Sequence, residues 1–197
     1  MSREKNATLF LMVAAMLLVV AAGVFAAQRL LRSKQQIPQP DYTQLYLNHI
    51  ANLETTIEGQ LLNNQWAFWG NDSLNGFPLE QLATEERLYF YFSQNVCPPC
   101  IMQTVDLLKR YFPHYETDDR IIFISPDWPF RLRSDCYGKK LLTLQRGRLE
   151  ITLEVEDVPF FFKLTPKLEL TSLHIVTKED FGRTEAFLKE FADLFKR

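Results

Sequence analysis

From Leu88 onward the chain alternates two kinds of apolar pattern. Leu88-Tyr89-Phe90-Tyr91-Phe92 and Arg120-Ile121-Ile122-Phe123-Ile124-Ser125 are almost continuously apolar, as strands buried on both faces are. Between them Ile101, Val105, Leu108 and Phe112 recur at spacings of four, three and four, which is one face of a helix over Ile101 to Phe112. Strand, helix and strand in that order imply a parallel crossover. Val158-Pro159 then leads into Phe160-Phe161-Phe162-Lys163-Leu164, and a proline there is confined to the start of a strand or to an edge. Thr165-Pro166-Lys167 is a turn and Leu168 to Val176 a second strand, so the pair reads as an antiparallel hairpin. Thr177 to Arg197 closes with a helix whose apolar positions are Phe181, Phe187, Leu188, Phe191, Leu194 and Phe195. Hairpin and helix complete a sheet begun at Leu88.

Upstream, Tyr46, Ile50, Leu53, Ile57 and Leu61 form the apolar stripe of an amphipathic helix, capped by Asp41 and running to about Leu62. It packs on its own domain or serves a juxtamembrane partner or dimer contact. Trp66, Phe68 and Trp69, followed by Asn71-Asp72 and Gly76-Phe77-Pro78-Leu79, suggest short strands or a hairpin, with the tryptophans in core or edge packing. The segment Phe130 to Asp157 is hardest to read. Tyr137 to Leu144 reads as helical, and Leu149 to Val155 alternates like a half-exposed strand. Cys136, within it, reads as a small buried residue, with a resolving or regulatory thiol as the sharper alternative.

Thr8 to Ala27 is a 20-residue run without a charge, long enough to cross a bilayer as a helix. A signal peptide cleaved near Val24-Phe25-Ala26 is the rival, but its apolar region usually spans only about 7 to 15 residues, which favours an uncleaved anchor. Arg3 and Lys5 precede the run and Arg29, Arg32 and Lys34 follow it, so basic residues alone do not place the C-terminal part outside the cytoplasm. Ser33 to Pro40 is a polar spacer. The expected organisation is residues 1–7 as a cytoplasmic N-terminus and 8–27 as a transmembrane anchor, with 28–62 as linker and amphipathic helix and 63–197 as one domain.

The net charge of -2 gives no basic field for nucleic acid, and 47% hydrophobic content with 16 phenylalanines supplies an aromatic core. Three cysteines are one pair plus one, too few for a disulfide-stapled scaffold. The pair is Cys97-Pro98-Pro99-Cys100, between a strand and a helix, where two thiols can close a small ring and reopen it. Zinc would need about four ligands, and only Cys136, His49, His114 and His174 remain, none at finger-like spacing. A structural disulfide is the other bland reading. Pro98, which precedes a proline, is expected to be extended and Pro99 to open the helix. Neither has an N–H, so the amides facing Cys97 are those of Cys100 and Ile101, a modest stabilisation of a thiolate.

The order strand, CxxC, helix, strand, insertion, Val158-Pro159, hairpin, helix resembles the thioredoxin fold. More narrowly, Gly76, Pro78-Leu79, the aromatic strand Leu88 to Phe92 and Cys97-Pro98-Pro99-Cys100 are similar to the membrane-anchored extracytoplasmic thioredoxins of the TlpA and ResA type. The likeness covers roughly Trp66 to Phe195. It implies an α/β fold, a central mixed β-sheet flanked by helices behind an N-terminal transmembrane helix, with the domain on the periplasmic side of the inner membrane. By that resemblance Cys97 is the attacking thiol, Cys100 the buried resolving thiol, Pro159 a cis-proline beside the Cys97-Cys100 disulfide, and Val158 a backbone ligand for an extended substrate segment.

Three positions depart from the family. Val96 replaces the tryptophan that precedes the first cysteine, Tyr91 the buried acid, and Gln103 a glutamate after the second cysteine. The base for Cys100 is therefore unnamed, with Glu154, Glu156 and Asp157 as candidates. The implied activity is thiol-disulfide exchange with protein substrates, with no cofactor but with an electron donor to restore the dithiol, and the weak thiolate stabilisation offered by Pro98 and Pro99 favours a reductant over an oxidant. The rivals are a thioredoxin-fold binding module with a structural CxxC, and an assembly factor that delivers metal through the two thiols.

Overall fold

The structure is a computed structural model that describes residues 16–29, 41–70, 72, 74–93, 95–96, 98–126 and 135–195. The chain divides into two compact units, Met1–Tyr42 and Thr43–Arg197. In the first, residues 16–29 form helix α1, whose apolar side chains from Met16 to Phe25 are largely exposed. No helix among the described residues is long and apolar enough to cross a membrane. Residues 8–15 of the expected anchor lie outside the described residues.

The second unit is built on one mixed sheet. Its strands are β1 (Trp66–Trp69), β2 (Phe77–Pro78), β3 (Leu88–Tyr91), β4 (Ile121–Ile124), β5 (Asp135–Cys136), β6 (Lys139–Leu144), β7 (Phe160–Leu164) and β8 (Leu170–Ile175). Helices α2 (Tyr42–Ile57), α3 (Pro98–Tyr111) and α4 (Phe181–Phe195) complete it. The order across the sheet is β2-β1-β6-β4-β3-β7-β8, with β5 paired to β6. β3, β4 and β6 are parallel neighbours, while β7 returns antiparallel beside β3 and β8 beside β7. The crossover through α3 and the terminal hairpin and helix are as the apolar pattern predicts.

Because side chains alternate along a strand, the buried runs split into two cores. Tyr89, Tyr91, Ile122, Ile124, Phe160 and Phe162 face one side, against Ile50 and Ile57 of α2 and Leu153. Leu88, Phe90, Ile121, Phe123 and Phe161 face the other, against Val105 and Leu108 of α3 and Leu188 and Phe191 of α4. Across β3 and β7 the pairs Tyr89/Phe162, Phe90/Phe161 and Tyr91/Phe160 stack with centroids 5.1, 4.5 and 4.7 Å apart. Each such pair adds about 0.5–1.5 kcal/mol beyond the area it buries.

α2 packs on its own unit, and the helix stops at Ile57, short of Leu61, which is 65% exposed. Gly59, at φ 86°, turns the chain, and its N–H donates to Leu170 O at 2.8 Å. Just past the helix Glu58 accepts the Ser172 N–H at 3.0 Å, and in its last turn Glu54 accepts the Ile175 N–H at 2.6 Å. The outer edge of β8 is thus closed by the helix and its carboxylates.

Two expectations for the inserted segment are corrected. Tyr137 to Leu144 is not helical: Tyr137 and Gly138, at φ 53° and 80°, make a tight hairpin turn between β5 and β6. Lys139 then buries its ammonium on the carbonyls of Tyr115, Glu116 and Asp118, at 2.9, 3.4 and 2.6 Å. Leu149 to Val155 is not a strand either. Leu149, Ile151 and Leu153 are all buried, which produces the alternation, but their segment is a turn followed by a 3-10 helix at Thr152–Glu156. Glu154 takes the amides of Leu149, Glu150 and Ile151, at 2.7, 2.8 and 3.3 Å, that a neighbouring strand would otherwise have used.

Candidate functional site

β3 ends at Tyr91, the chain passes through buried Phe92, Ser93 and Val96, and α3 begins at Pro98. The helix opens one residue earlier than expected, because proline at the first helical position loses only an amide that the helix would leave orphaned. Cys100 sits in the first turn, partly buried, and its carbonyl accepts the Thr104 hydroxyl at 2.8 Å. Cys97 lies outside the described residues, so its pairing with Cys100 does too.

Val158 and Pro159 lie at the same end of the sheet as Cys100. Tyr91 pairs with Phe160, so β3 leaves the sheet where β7 enters it. Pro159 O accepts the Val176 N–H at 2.8 Å, whereas neither main-chain polar group of half-buried Val158 bonds to a described residue. The expected cis peptide is not found: no peptide bond among the described residues is cis. Instead Asp157, in the left-handed region at φ 49° and ψ 38°, redirects the chain into the strand. Its carboxylate accepts Ser93 Oγ at 3.2 Å and Asn95 Nδ2 at 3.3 Å on both oxygens. The loop before the cysteines and the loop before Pro159 are laced together through one side chain.

The candidate bases separate by their partners. Glu154 is used by Tyr91 Oη at 2.6 Å as well as by three amides, and Asp157 by Ser93 and Asn95, while Glu156 is exposed. Val96 is 4% exposed, packed in the apolar cluster that holds Ile101, and Gln103 lines a separate groove between α3 and α4. A cavity of about 1040 Å³ opens beside Ser93, Asn95, Glu154, Val155 and Asp157. Cys136 is buried in the same apolar cluster as Val96 and Ile101. Among the described residues no group of three or more His, Cys, Asp or Glu is placed to hold a metal ion.

Tyr46 belongs to the apolar stripe read from the sequence. Tyr46 is half-buried on α2, and burial, then the charges of Glu179, Glu156 and Cys100, push its phenol above the ordinary value. Its place in the apolar stripe hid its hydroxyl.

No protein-family model matches the chain, and no curated protein matches it in sequence. Among solved structures it is similar to the thioredoxin domain of a thiol-disulfide oxidoreductase from Bacteroides vulgatus, at 18% identity and TM-score 0.37 over 66% of this chain and 97% of that one. It is also similar to apo Sco1 from Thermus thermophilus, at 16% identity and TM-score 0.40 over 71% and 96% of the two chains. A third likeness is to copper-bound ScoI from Arabidopsis thaliana, at 11% identity and TM-score 0.37 over 68% and 99%.

Proposed function

We propose that this chain is a membrane-tethered thiol-disulfide oxidoreductase of thioredoxin-like, TlpA/ResA-type architecture, which reduces disulfides of proteins outside the cytoplasm. The Cys97 thiolate attacks a substrate disulfide and forms a mixed disulfide. Cys100 then attacks Cys97, closing the Cys97-Cys100 bond and releasing the second substrate thiol, so that two electrons pass to the substrate. A separate electron donor returns the pair to the dithiol.

The observation that carries this reading is the Asp157 bridge to Ser93 and Asn95, which holds the main chain of Val158, bonded to no described residue, beside the loop leading to α3. An extended substrate segment can add to that main chain while its disulfide meets the thiol. The exposed apolar side chains of α1 support a tether on the inner membrane.

The test is the reduction potential of the full chain in detergent, with Cys136→Ala, equilibrated in glutathione or dithiothreitol buffers. A reductant lies near or below thioredoxin's roughly -270 mV, whereas a value near DsbA's roughly -120 mV makes the chain an oxidant and overturns the stated direction. Absence of a Cys97-Cys100 disulfide at any potential overturns the redox function itself.

A further inference from the structure

The cavity of about 1040 Å³ beside Ser93 and Asp157 lies at the carboxyl ends of the three parallel strands. Tyr91 and Ser93 stand at the end of β3, Pro126 follows β4, and the turn Arg146-Gly147-Arg148 follows β6. Parallel sheets leave a crevice for ligands at that end. The 3-10 helix supplies another wall, with Val155 81% exposed on it.

The turn after β6 is fastened from beneath. Gln65, 5% exposed, donates through Nε2 to Arg148 O at 2.9 Å and accepts the Arg146 N–H on Oε1 at 3.1 Å. The next amide, that of Leu149, donates to Glu154 Oε1 at 2.7 Å, the oxygen that also accepts Tyr91 Oη at 2.6 Å. Ser93, just past Tyr91, is tied in turn to Asp157, and Val158 follows. One run of hydrogen bonds therefore links Arg148, through the end of β3, to the main chain of Val158.

The polar side chains of the lining are nearly all engaged. Glu154 holds Tyr91 and three amides, and Asp157 holds Ser93 and Asn95. Glu150 holds Asn63 and Arg146, each at 2.7 Å. Arg148 and Thr152 remain, and the side chains of both bond to no described residue. Arg148 is exposed and forms no ion pair with a described residue. A guanidinium is a planar fork of donors without an acceptor, and its best match is a carboxylate.

We infer that this cleft is a substrate subsite in which Arg148 receives a carboxylate side chain of the extended segment that pairs with Val158, so that acid-bearing protein segments are the preferred substrates. The inference rests on the redox reading of Cys97 and on Val158 as the receiving edge. An acid close to the substrate cysteine would meet the charges of Glu154 and Asp157, so the preference belongs to one register farther along the segment, toward the β6 turn. The pair is exposed, which keeps the preference modest and makes it fall with salt.

The test uses the full chain in detergent, carrying Cys100→Ala and Cys136→Ala, and peptides whose cysteine is joined to thionitrobenzoate. Cys97 attacks the peptide sulfur and thionitrobenzoate leaves with the electron pair, so its absorbance reports the first attack. A glutamate is moved through about five successive positions, each peptide compared with its glutamine counterpart, to span the cleft with an extended chain. At low salt one register reacts about fivefold faster with glutamate than with glutamine. Arg148→Gln brings that ratio to about one, and Arg148→Glu makes lysine the faster residue at the same position. Each ratio is taken within one variant, so a general loss of folding or reactivity cancels. No glutamate preference in any register, or one that survives Arg148→Gln, overturns the inference. A parent chain that releases no thionitrobenzoate defeats the redox reading instead. Binding of fluorescent glutamate peptides with serine in place of cysteine then decides, and equal affinity for the parent and Arg148→Gln overturns the subsite.

Discussion

The Tyr91 hydroxyl donates to Glu154 at 2.6 Å, joining the last residue of β3 to the inserted segment. The same carboxylate gathers the amides of Leu149, Glu150 and Ile151, so one side chain replaces a strand's worth of pairing.

Glu154→Gln removes the charge and offers one acceptor oxygen to four donors. It is expected to destabilise the fold by about 2–3 kcal/mol, and Tyr91→Phe by about 1 kcal/mol. Urea unfolding of the two variants and of the double variant checks this. The pair is in contact, so the double variant should lose less than the sum.

Glu54 binds both the Ile175 N–H and the Arg183 guanidinium. Glu54→Ala leaves the partly buried Arg183 without its carboxylate and reopens part of the edge of β8, at about 2 kcal/mol. Glu58→Ala, losing one bond at an exposed position, costs less than about 1 kcal/mol. Denaturation midpoints give the ranking, and concentration-dependent scattering of Glu54→Ala reports the opened edge.

His174 is 4% exposed, stacked on Phe187 at 4.6 Å, with Nε2 3.0 Å from Thr184 Oγ1 and Nδ1 toward Arg183. Burial first, then the Arg183 charge, lowers its pKa from 6.5 to about 3. The folded imidazole is therefore neutral where the unfolded one takes a proton. Its contribution is complete above about pH 6.5 and is lost as pH falls toward 3, at up to about 1.4 kcal/mol per pH unit. His174→Gln should flatten the dependence of the urea midpoint between about pH 6.5 and 4.5, above the range of ordinary carboxylates. An unchanged slope would exclude this source.

Period and punctuation were legible wherever one environment dominated. The runs at Leu88, Ile121 and Phe160 have apolar neighbours on both faces, and nothing but a buried strand accommodates them. The inserted segment was misread because its pattern arises from long-range partners. Lys139 looks like a surface residue until three carbonyls brought from the α3–β4 connection surround it. Leu149, Ile151 and Leu153 alternate as a strand does, but the group that consumes their amides stands at Glu154 within the same segment. At the site, the cysteine-bearing helix and the Val158-Pro159 entry were readable from local order. The Asp157 tie to Ser93 and Asn95 spans more than sixty positions and had no local signal. Tyr46 reads as packing because its ring satisfies the helical stripe, and it does pack against the core beside α2.

The clasp of α2 on β8 also has a mechanical side. α2 is the first element of the folded unit, so tension along the preceding chain enters at Tyr42. Its polar fastenings, at Glu54 in the last turn and at Glu58 and Gly59 just beyond it, lie at the far end. A pull that lifts the near end therefore peels the helix progressively, loosening Tyr46 well before the clasp yields. Slack or taut, the leader would change how firmly the start of the helix is seated, and not the edge strand that its far end closes.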